Sequence, residues 1–335
     1  MVEKPRMTAN ARRAVLIVST TIDLAADRVV DKLLRRQVPV FRVNTDRLPY
    51  QSQISLARSA SAGSRVVFHE AGRSMDAEIL AAFWYRRIRM PPAPPEATDA
   101  THEYVFREAV ATLRGALEVL SVGLRSFGSP CTLDRAESKV FQLDIAADLG
   151  FEIPNTVITS DPAELRRFAS EHPRPLVAKP IHSGYLRTSD GDVGIFTQRV
   201  EIGDLVEIDN ALPCPIIMQE EIPKVFDIRV TVVRDAVYAT AIDSQSDPAA
   251  QVDWRRTSRP DLPHHRHELP RAMRSKCIEM AARQGTGFAA IDLVLTSDNR
   301  YVFLESNPNG EWLWIEDALG YPISDAIVRY LEEGR

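Results

Sequence analysis

The sequence predicts an α/β protein with more than one domain. Short apolar runs of strand length alternate with amphipathic helical segments, and a proline-rich stretch at residues 86–100 separates two such regions. Ala14–Ser19 has the composition of a buried strand, residues 22–36 show helical periodicity, and residues 39–43 form the next apolar run. This strand–helix–strand beginning is typical of a small α/β domain.

The region after the proline-rich stretch begins with helices. Residues 102–120 form an amphipathic pattern, and a loop then leads to a helix predicted over residues 135–149, with Asp134 as the expected N-cap. We place a domain boundary at residue 130. The predicted domains are an N-terminal α/β domain at residues 1–130, a central domain at residues 131–215 and a C-terminal domain at residues 216–335.

The rest of the chain alternates strands and helices again. A polar stretch at residues 245–268 is predicted to be a long loop. The other predicted elements are strands at residues 156–158, 176–179 and 215–221, a hairpin at residues 226–233 and 237–243, and helices at residues 161–171, 270–284 and 322–333.

Composition excludes several classes of protein. The 335 residues are 44% hydrophobic and 26% charged, with a net charge of −5, which does not favour a nucleic-acid partner. Cys131, Cys214 and Cys277 are odd in number and far apart, as expected in a reducing cytosol. The apolar runs fall short of the roughly 20 residues that a membrane span needs, and the N-terminus lacks a signal-peptide pattern. We therefore expect a cytoplasmic protein without a membrane partner.

Oxygen ligands for a metal ion occur near the C-terminus, in residues 292–312, DLVLTSDNRYVFLESNPNGEW. Asp292 lies in one apolar run, and Glu305 and Asn307 end the next, so a hairpin can bring the three together on one face. Mg²⁺ takes such hard oxygen ligands and leaves open positions for substrate phosphates. The segment therefore predicts metal–nucleotide chemistry.

Two lysines are placed where they can contact phosphate. Lys179 ends an apolar strand just before a proline, and Lys139 lies on the helix that follows the domain boundary. A lysine at such a position acts as a point charge for an anion. An ordinary surface role is the alternative for each lysine taken alone.

A loop at residues 182–194 contains Ser183 and three glycines, Gly184, Gly191 and Gly194. Small residues allow backbone N–H groups to approach a phosphate closely. The sequence contains neither a GxxxxGK[ST] loop nor a GxGxxG motif, so the alternative for this loop is a flexible hairpin.

Residues 215–222 form an apolar strand that continues into Gln219, Glu220, Glu221 and Ile222. The backbone N–H and C=O groups of such a strand edge can form hydrogen bonds with adenine, and a carboxylate can bind ribose hydroxyls. A solvated acidic turn after a strand is the structural alternative.

Two arginines are candidates for anion recognition. Arg229 lies within an otherwise apolar strand, and Arg255 lies in the polar stretch beside a tryptophan. Their planar guanidinium groups suit carboxylates and phosphates, although a structural ion pair is the alternative for each.

The order of these features resembles the ATP-grasp superfamily, whose members form an acyl phosphate from ATP and a carboxylate before a nucleophile attacks it. Three segments are more similar to one family, the ATP-grasp maturases of microviridins and other graspetides: VLIVSTTIDLAADRVVDKLLRRQVPVFRVNTDRLP, FWYRR, and EEIPKVFDIRVTVVRDAVYATAIDSQ…VDWRR followed by LESNPNGEWLWIEDALGYPI. The NPNGxW sequence after the metal glutamate is characteristic of that family. The resemblance covers nearly the whole chain and implies an ATP-grasp fold with a pre-ATP-grasp domain.

The resemblance also implies roles for single residues, with ATP and Mg²⁺ bound. Lys139 and Lys179 would contact the phosphates. Arg229 and Arg255 would face the γ-phosphate and the acceptor carboxylate. Lys179 and the two arginines are therefore the catalytic candidates. Loop 182–194, which contains Ser183 and Gly184, would close over the phosphates. The residues implied at adenosine are Gln219, Glu220, Glu221 and Ile222, and those implied at Mg²⁺ are Asp292, Glu305 and Asn307.

The implied substrate is a ribosomal precursor peptide with a leader and an acidic core, whose Asp or Glu side chains are joined to Ser, Thr or Lys by ω-ester or ω-amide links. Residues 185–197 are the candidate leader-binding segment, and a homodimer is expected. Two alternatives stay open: an ATP-grasp ligase that adds a free amino acid to a protein or peptide, and a non-catalytic peptide-binding homologue.

Overall fold

The chain folds into two compact units. The first contains residues up to Leu133 together with residues from Glu311 onwards, and the second contains Asp134–Gly310. The predicted division at residue 215 lies inside the second unit and stays a prediction. The computed structural model describes residues 13–61, 63–182, 184–188, 191–210, 213–257, 259 and 262–333.

The helices and strands of the described residues alternate along most of the chain. The helices are α1 (Leu24–Arg35), α2 (Asp99–Ser121), α3 (Pro130–Glu137), α4 (Lys139–Asp148), α5 (Pro162–Glu171), α6 (Ile202–Glu207), α7 (Arg271–Gln284), α8 (Leu313–Leu319) and α9 (Ile323–Glu332). The strands are β1 (Ala14–Ser19), β2 (Val40–Asn44), β3 (Ser52–Ser59), β4 (Gly63–Glu70), β5 (Arg73–Asp76), β6 (Leu80–Tyr85), β7 (Thr156–Thr159), β8 (Leu176–Lys179), β9 (Tyr185–Thr188), β10 (Gly191–Gly194), β11 (Gln198–Arg199), β12 (Ile216–Glu220), β13 (Phe226–Val233), β14 (Ala236–Ile242), β15 (His264–His267), β16 (Phe288–Leu295) and β17 (Tyr301–Asn307). Across the described ranges, no helix is both long and apolar enough to cross a bilayer.

The first unit is built on the predicted strand–helix–strand beginning. Strand β1 pairs in parallel with β2 on one side and β6 on the other, and all its residues are buried. Such continuous burial is expected for the central strand of a parallel sheet. A second, antiparallel sheet has the order β3-β4-β5 and shares the core of this unit.

A buried ion pair lies at the carboxyl end of β1 in the first unit. Asp23, the N-cap of α1, accepts hydrogen bonds from Arg86 Nε at 2.8 Å and from Ala26 N at 3.0 Å. Burial alone would raise the pKa of the Asp23 carboxyl, but the bonds from Arg86 and its positive charge lower the pKa to about 2. Arg86 and Arg87 of the FWYRR segment also bind Glu311, which belongs to the same unit.

Acidification should therefore destabilise the first unit through Asp23. The folded-state pKa of about 2 lies below the ordinary value of 3.8, so the carboxylate stabilises the fold above about pH 4 and loses this effect as the pH falls towards 2. The shift corresponds to about 2 kcal/mol of unfolding free energy. Urea unfolding between pH 5 and pH 2 should show a shallower pH dependence for Asp23→Asn than for the wild type. Parallel curves for the two proteins would contradict this account.

The second unit contains two further sheets and a separate two-stranded hairpin of β9 and β10. The sheet of order β11-β8-β12-β7 packs its apolar face against α5 and α6. The sheet of order β15-β14-β13-β16-β17 packs against α4 and α7 through the largest core of this unit. The predicted hairpin of β13 and β14 is present, and β13 also pairs with β16.

Two predicted elements differ from the structure. The helix predicted over residues 135–149 is two helices, α3 and α4, because Ser138 has an extended backbone and its hydroxyl caps α4 by accepting from Phe141 N. Asp134 lies inside α3 rather than at an N-cap. The loop predicted at residues 245–268 is wrong in part, because it contains a 3-10 turn at Trp254–Arg256 and strand β15.

Candidate active site

Three charged residues lie in a row across the five-stranded sheet. The strand register places Arg229 of β13 opposite Asp292 of β16, and Asp292 opposite Glu305 of β17. Directly opposed residues project from the same face of a sheet, so one cation and two carboxylates share a face. Arg229 Nη1 donates to Asp292 Oδ2 at 2.7 Å.

A β-bulge in β17 creates this arrangement. Asp292 is opposite Glu305 but Leu293 is opposite Phe303, so Leu304 is the extra residue. Without the bulge, Leu304 would stand opposite Asp292 and Glu305 would project from the other face. The carbonyl of Leu304 accepts a hydrogen bond from Lys179 Nζ at 3.4 Å. The bulge therefore positions the glutamate and also provides a contact for the lysine.

The two predicted lysines converge on this row of residues. Lys139 is the first residue of α4, where its Nζ lies 3.3 Å from Glu305 Oε2 and donates to the Pro180 carbonyl at 3.0 Å. Lys179 is the last residue of β8. Gln142, also on α4, holds that helix to β17, because its amide exchanges hydrogen bonds of 2.7 and 3.0 Å with the backbone of Ser306.

The charges of these groups perturb one another. Burial would raise the pKa of Glu305, but Lys139, Lys179 and Arg255 together lower the pKa to about 2. Burial lowers the pKa of Lys179 to about 8, and the negative charge of Glu305 opposes this effect. Burial raises the pKa of Asp292, and the cation of Arg229 offsets only part of that increase. Such perturbed groups in one place are typical of functional sites.

Arg255 reaches the same group from the turn at Trp254–Arg256. Its side chain forms a two-point ion pair with Asp253, and its Nη1 lies 3.7 Å from Glu305 Oε1. With Lys139, Lys179 and Arg229, it makes four cations around the carboxylates of Asp292 and Glu305. This local surplus of positive charge suits a polyphosphate ligand.

A cavity of about 290 Å³ opens beside these charges in the second unit. Its lining includes Lys139, Gly184, Glu305, Ser306 and Asn307. The cavity therefore brings the predicted phosphate-binding lysine, the start of the glycine loop and two predicted metal ligands to one space. Ser183 lies outside the described residues, so its place at this cavity stays a prediction.

The donor set fits a magnesium ion. Asp292 and Glu305 present carboxylate oxygens from paired strands, and Asn307 adds an amide two residues after Glu305. Hard oxygen donors of this kind, with room for phosphate oxygens, are what Mg²⁺ requires. The described part of the chain holds no cluster of three or more His, Cys, Asp or Glu side chains suited to a metal.

The residues predicted at adenosine are placed along β12 and just beyond it. Gln219 is buried and its Nε2 donates to Thr156 Oγ1 at 2.8 Å, whereas Glu220 accepts from Asn155 Nδ2 at 3.1 Å. Glu221 forms a two-point ion pair with Arg199, with both distances 2.7 Å. These contacts are compatible with a structural role, and adenosine binding by Gln219, Glu220, Glu221 and Ile222 stays a prediction.

Sequence reasoning missed two residues that shape the site, Gln142 and Asp253. Gln142 follows Lys139 by three residues, so a helix begun at Ser138 would have placed both side chains on neighbouring positions. Asp253 stands two residues before Arg255 in the quoted VDWRR segment, and this short spacing was the available signal for an arginine–carboxylate pair.

Gly310 lies where no larger residue fits. A Cβ atom at this position would lie 2.3 Å from Ala290 Cβ, 2.7 Å from Arg229 Nη2 and 3.1 Å from Asn307 Cβ. The glycine of the NPNG segment therefore allows the backbone to approach both the arginine and the proposed metal ligand closely.

We expect Gly310→Ala to destabilise the second unit and displace Arg229. Overpacking of this kind costs about 1–3 kcal/mol. The midpoint temperature of thermal unfolding should fall, and ATP turnover should slow. Gly203→Ala is the matched control, because no heavy atom lies within 4 Å of the added Cβ and the residue is in α6. Equal behaviour of the two variants would show that the contacts around Gly310 are unimportant.

Comparisons with known proteins agree with the fold. The MvdD pre-ATP-grasp domain family matches residues 14–127. The structure is similar to macrocyclase MdnC from Microcystis aeruginosa MRC bound with precursor peptide MdnA, with 27% identity, a TM-score of 0.83, and coverage of 95% of this chain and 99% of that one. It is also similar to a Chryseobacterium gregarium RiPP-associated ATP-grasp ligase in complex with ADP and a leader and core peptide, with 29% identity, a TM-score of 0.87, and coverage of 95% and 96%. No curated protein sequence matched.

The fold and the site together define the class of protein. The chain is an ATP-grasp ligase with an N-terminal pre-ATP-grasp domain, as the sequence predicted. Within that class it is similar to the graspetide maturases, the ATP-grasp enzymes of ribosomally synthesised and modified peptides.

Proposed function

We propose that this enzyme activates Asp or Glu side chains of a ribosomal precursor peptide as acyl phosphates and joins them to Ser, Thr or Lys side chains of the same peptide. The observation that carries the proposal is the row of Arg229, Asp292 and Glu305 beside Lys139 and Lys179. This row combines a metal-binding pair of carboxylates with cations for transferring phosphate. The similar macrocyclase bound with a precursor peptide and the similar ATP-grasp ligase in complex with a leader and core peptide support the peptide substrate.

The residues of the chain would act mainly by position and charge. Lys139 and Lys179 offset charge on the nucleotide phosphates, and Arg229 holds the acceptor carboxylate in line with the γ-phosphate. Asp292, Glu305 and Asn307 would hold Mg²⁺, which neutralises phosphate charge when bound. The substrate hydroxyl or amine then attacks the acyl carbon, and inorganic phosphate leaves. The chain needs no covalent nucleophile of its own for these steps.

Exclusion of water would protect the acyl phosphate. Residues 182–194 carry β9 and β10, and the base of this hairpin is closed where Ile195 N donates to the Gly184 carbonyl at 2.5 Å. Gly184 also lines the cavity beside Glu305. A hairpin at this position can cover the phosphates during turnover.

A second cavity supports the proposed leader-binding segment at residues 185–197. It has a volume of about 460 Å³ and is lined mainly by apolar residues, among them Ile181, Ile195, Phe196 and Ile216. Ile195 and Phe196 of this lining are exposed, and so is Val193, two residues before Ile195. An apolar leader segment is the ligand that such a surface would accept. The microviridin type of product, the homodimer, the cytoplasmic location and the division at residue 215 belong to this proposal as family expectations.

The direct test is incubation of the purified protein with ATP, Mg²⁺ and its precursor peptide. The peptide mass should fall by one water for each link, with one ADP released for each, and chelation of the metal should stop both. A mass increase by one amino acid would instead identify a ligase of free amino acids. Absence of ATP turnover with every peptide would favour a non-catalytic binding protein.

A further inference from the structure

A buried carboxylate outside the proposed metal and phosphate ligands determines where Arg255 points. Asp253 is only 5% exposed. Its Oδ1 accepts from Arg255 Nε at 2.8 Å, and its Oδ2 accepts from Arg255 Nη2 at 2.7 Å. A two-point contact fixes the direction of a guanidinium as well as its position. The remaining nitrogen, Nη1, lies 3.7 Å from Glu305 Oε1.

The same carboxylate also binds the segment that leaves the β9–β10 hairpin. The backbone N–H of Thr197 donates to Asp253 Oδ2 at 3.1 Å. Two residues earlier, Ile195 N donates to the carbonyl of Gly184, and Gly184 lines the cavity beside Glu305. Asp253 therefore contacts the hairpin base and the arginine beside the proposed metal ligand at the same time.

The backbone next to Asp253 is held independently of these contacts. Lys224 Nζ donates to the Val252 carbonyl at 3.2 Å and to Asp227 Oδ1 at 2.8 Å. The Lys224 and Asp227 side chains are each 7% exposed, and Asp227 lies on β13, the strand of Arg229. A change at the Asp253 side chain should therefore leave the loop attached to the sheet and affect what that side chain binds.

We propose that Asp253 is a positioning residue that couples docking of the hairpin base to the placement of Arg255 beside Glu305. The inference rests on the proposed function and adds a residue to it. When Thr197 is docked, Asp253 holds both partners and the cavity is covered while the guanidinium is in place. When Asp253 cannot hold both, the acyl phosphate can form while the cavity is open to water. Water then hydrolyses part of the acyl phosphate before the peptide hydroxyl or amine attacks it.

The test is Asp253→Asn, which retains the shape of the side chain but replaces one oxygen by an NH₂ donor. In either orientation, that donor faces N–H groups of Arg255 or Thr197. We expect crosslinking to slow about 10- to 100-fold, and the ADP released per crosslink to rise at least about threefold. In an Arg255→Met background, Asp253→Asn should slow crosslinking less than about twofold further, because the two residues act as a unit.

Asp247→Asn is the matched control. Asp247 is 6% exposed in the same loop, and it accepts from Thr257 Oγ1 at 2.6 Å and from Ala249 N at 3.0 Å. This variant should keep the wild-type ratio of ADP to crosslink. If Asp253→Asn fails to fold, Thr197→Pro removes the N–H donor without changing Asp253, and the ratio should again rise.

Hydrogen exchange separates this inference from the proposed function. With Mg²⁺ and a non-hydrolysable ATP analogue, amides at residues 195–199 should exchange faster in Asp253→Asn than in the wild type. If the wild-type protein forms no crosslink, the proposed function is overturned. The exchange result would then show by itself whether Asp253 holds the hairpin base. The role of Asp253 would be overturned if Asp253→Asn changed neither the amide exchange nor the ratio of ADP to crosslink. It would also be overturned if the losses of crosslinking rate from Asp253→Asn and Arg255→Met multiplied in the double variant.

Discussion

Replacing Glu305 with glutamine should slow peptide crosslinking by about 100- to 1,000-fold, the range expected when a group that stabilises charge in the transition state is lost. Glu305 stands opposite Asp292 with its side chain 13% exposed, and its carboxylate faces Lys139 at 3.3 Å and Arg255 at 3.7 Å. Glutamine has the same shape but no charge. The proposed metal site would lose one of its two carboxylates, and Lys139, Lys179 and Arg255 would lose a neighbouring negative charge.

The measurement is the initial rate of water loss from the peptide, together with the Mg²⁺ concentration that gives half-maximal rate. Glu305→Gln should raise that concentration as well as lower the rate. Asp298→Asn is the control, because Asp298 is an exposed carboxylate in the turn of the same hairpin, where it accepts from Thr296 Oγ1 and Arg300 Nε. Full activity of Glu305→Gln would remove this residue from the metal site.

Replacing Arg229 with lysine should lower kcat by about 100-fold while changing the KM for ATP much less. Arg229 is 6% exposed, donates to Asp292 Oδ2 at 2.7 Å, and is packed so closely that a Cβ on Gly310 would lie 2.7 Å from its Nη2. Lysine keeps the charge but cannot hold Asp292 with one nitrogen and direct a second towards a substrate carboxylate. An effect on the chemical step rather than on nucleotide binding is therefore expected.

Steady-state kinetics with ATP and peptide varied separately would test this division. Arg266→Lys provides a comparison, because Arg266 is an exposed residue of β15 at the edge of the same sheet. It should behave as the wild type. A large rise in the KM for ATP with unchanged kcat would assign Arg229 to nucleotide binding instead of to the acceptor carboxylate.

Local patterns in the sequence were sufficient for most of the fold. The apolar run at Ala14–Ser19 became the central strand β1, and the helix predicted over residues 161–171 is α5, with Asp161 as its N-cap. The break between α3 and α4 was missed because residues 135–149 are all acceptable in a helix, and only the extended backbone of Ser138 separates the two helices. Strand β15 was missed because its polar sequence lacks alternation, and it forms by pairing with β14.

The kinds of residue at the candidate site could be read along the chain, since Lys139, Lys179, Arg229, Asp292 and Glu305 stand at strand ends, at a helix start or within apolar runs. Their arrangement could not be read in this way. The bulge at Leu304, which turns Glu305 towards Asp292, depends on pairing between two strands and has no separate signature in residues 301–307. The two-point contact of Asp253 with Arg255, and its bond from Thr197 56 residues away, likewise arise only when distant segments pack. The chemistry of each residue is a local property of the sequence, whereas strand register and long-range hydrogen bonds are decided by packing. The strand register is what brings Arg229, Asp292 and Glu305 into one row.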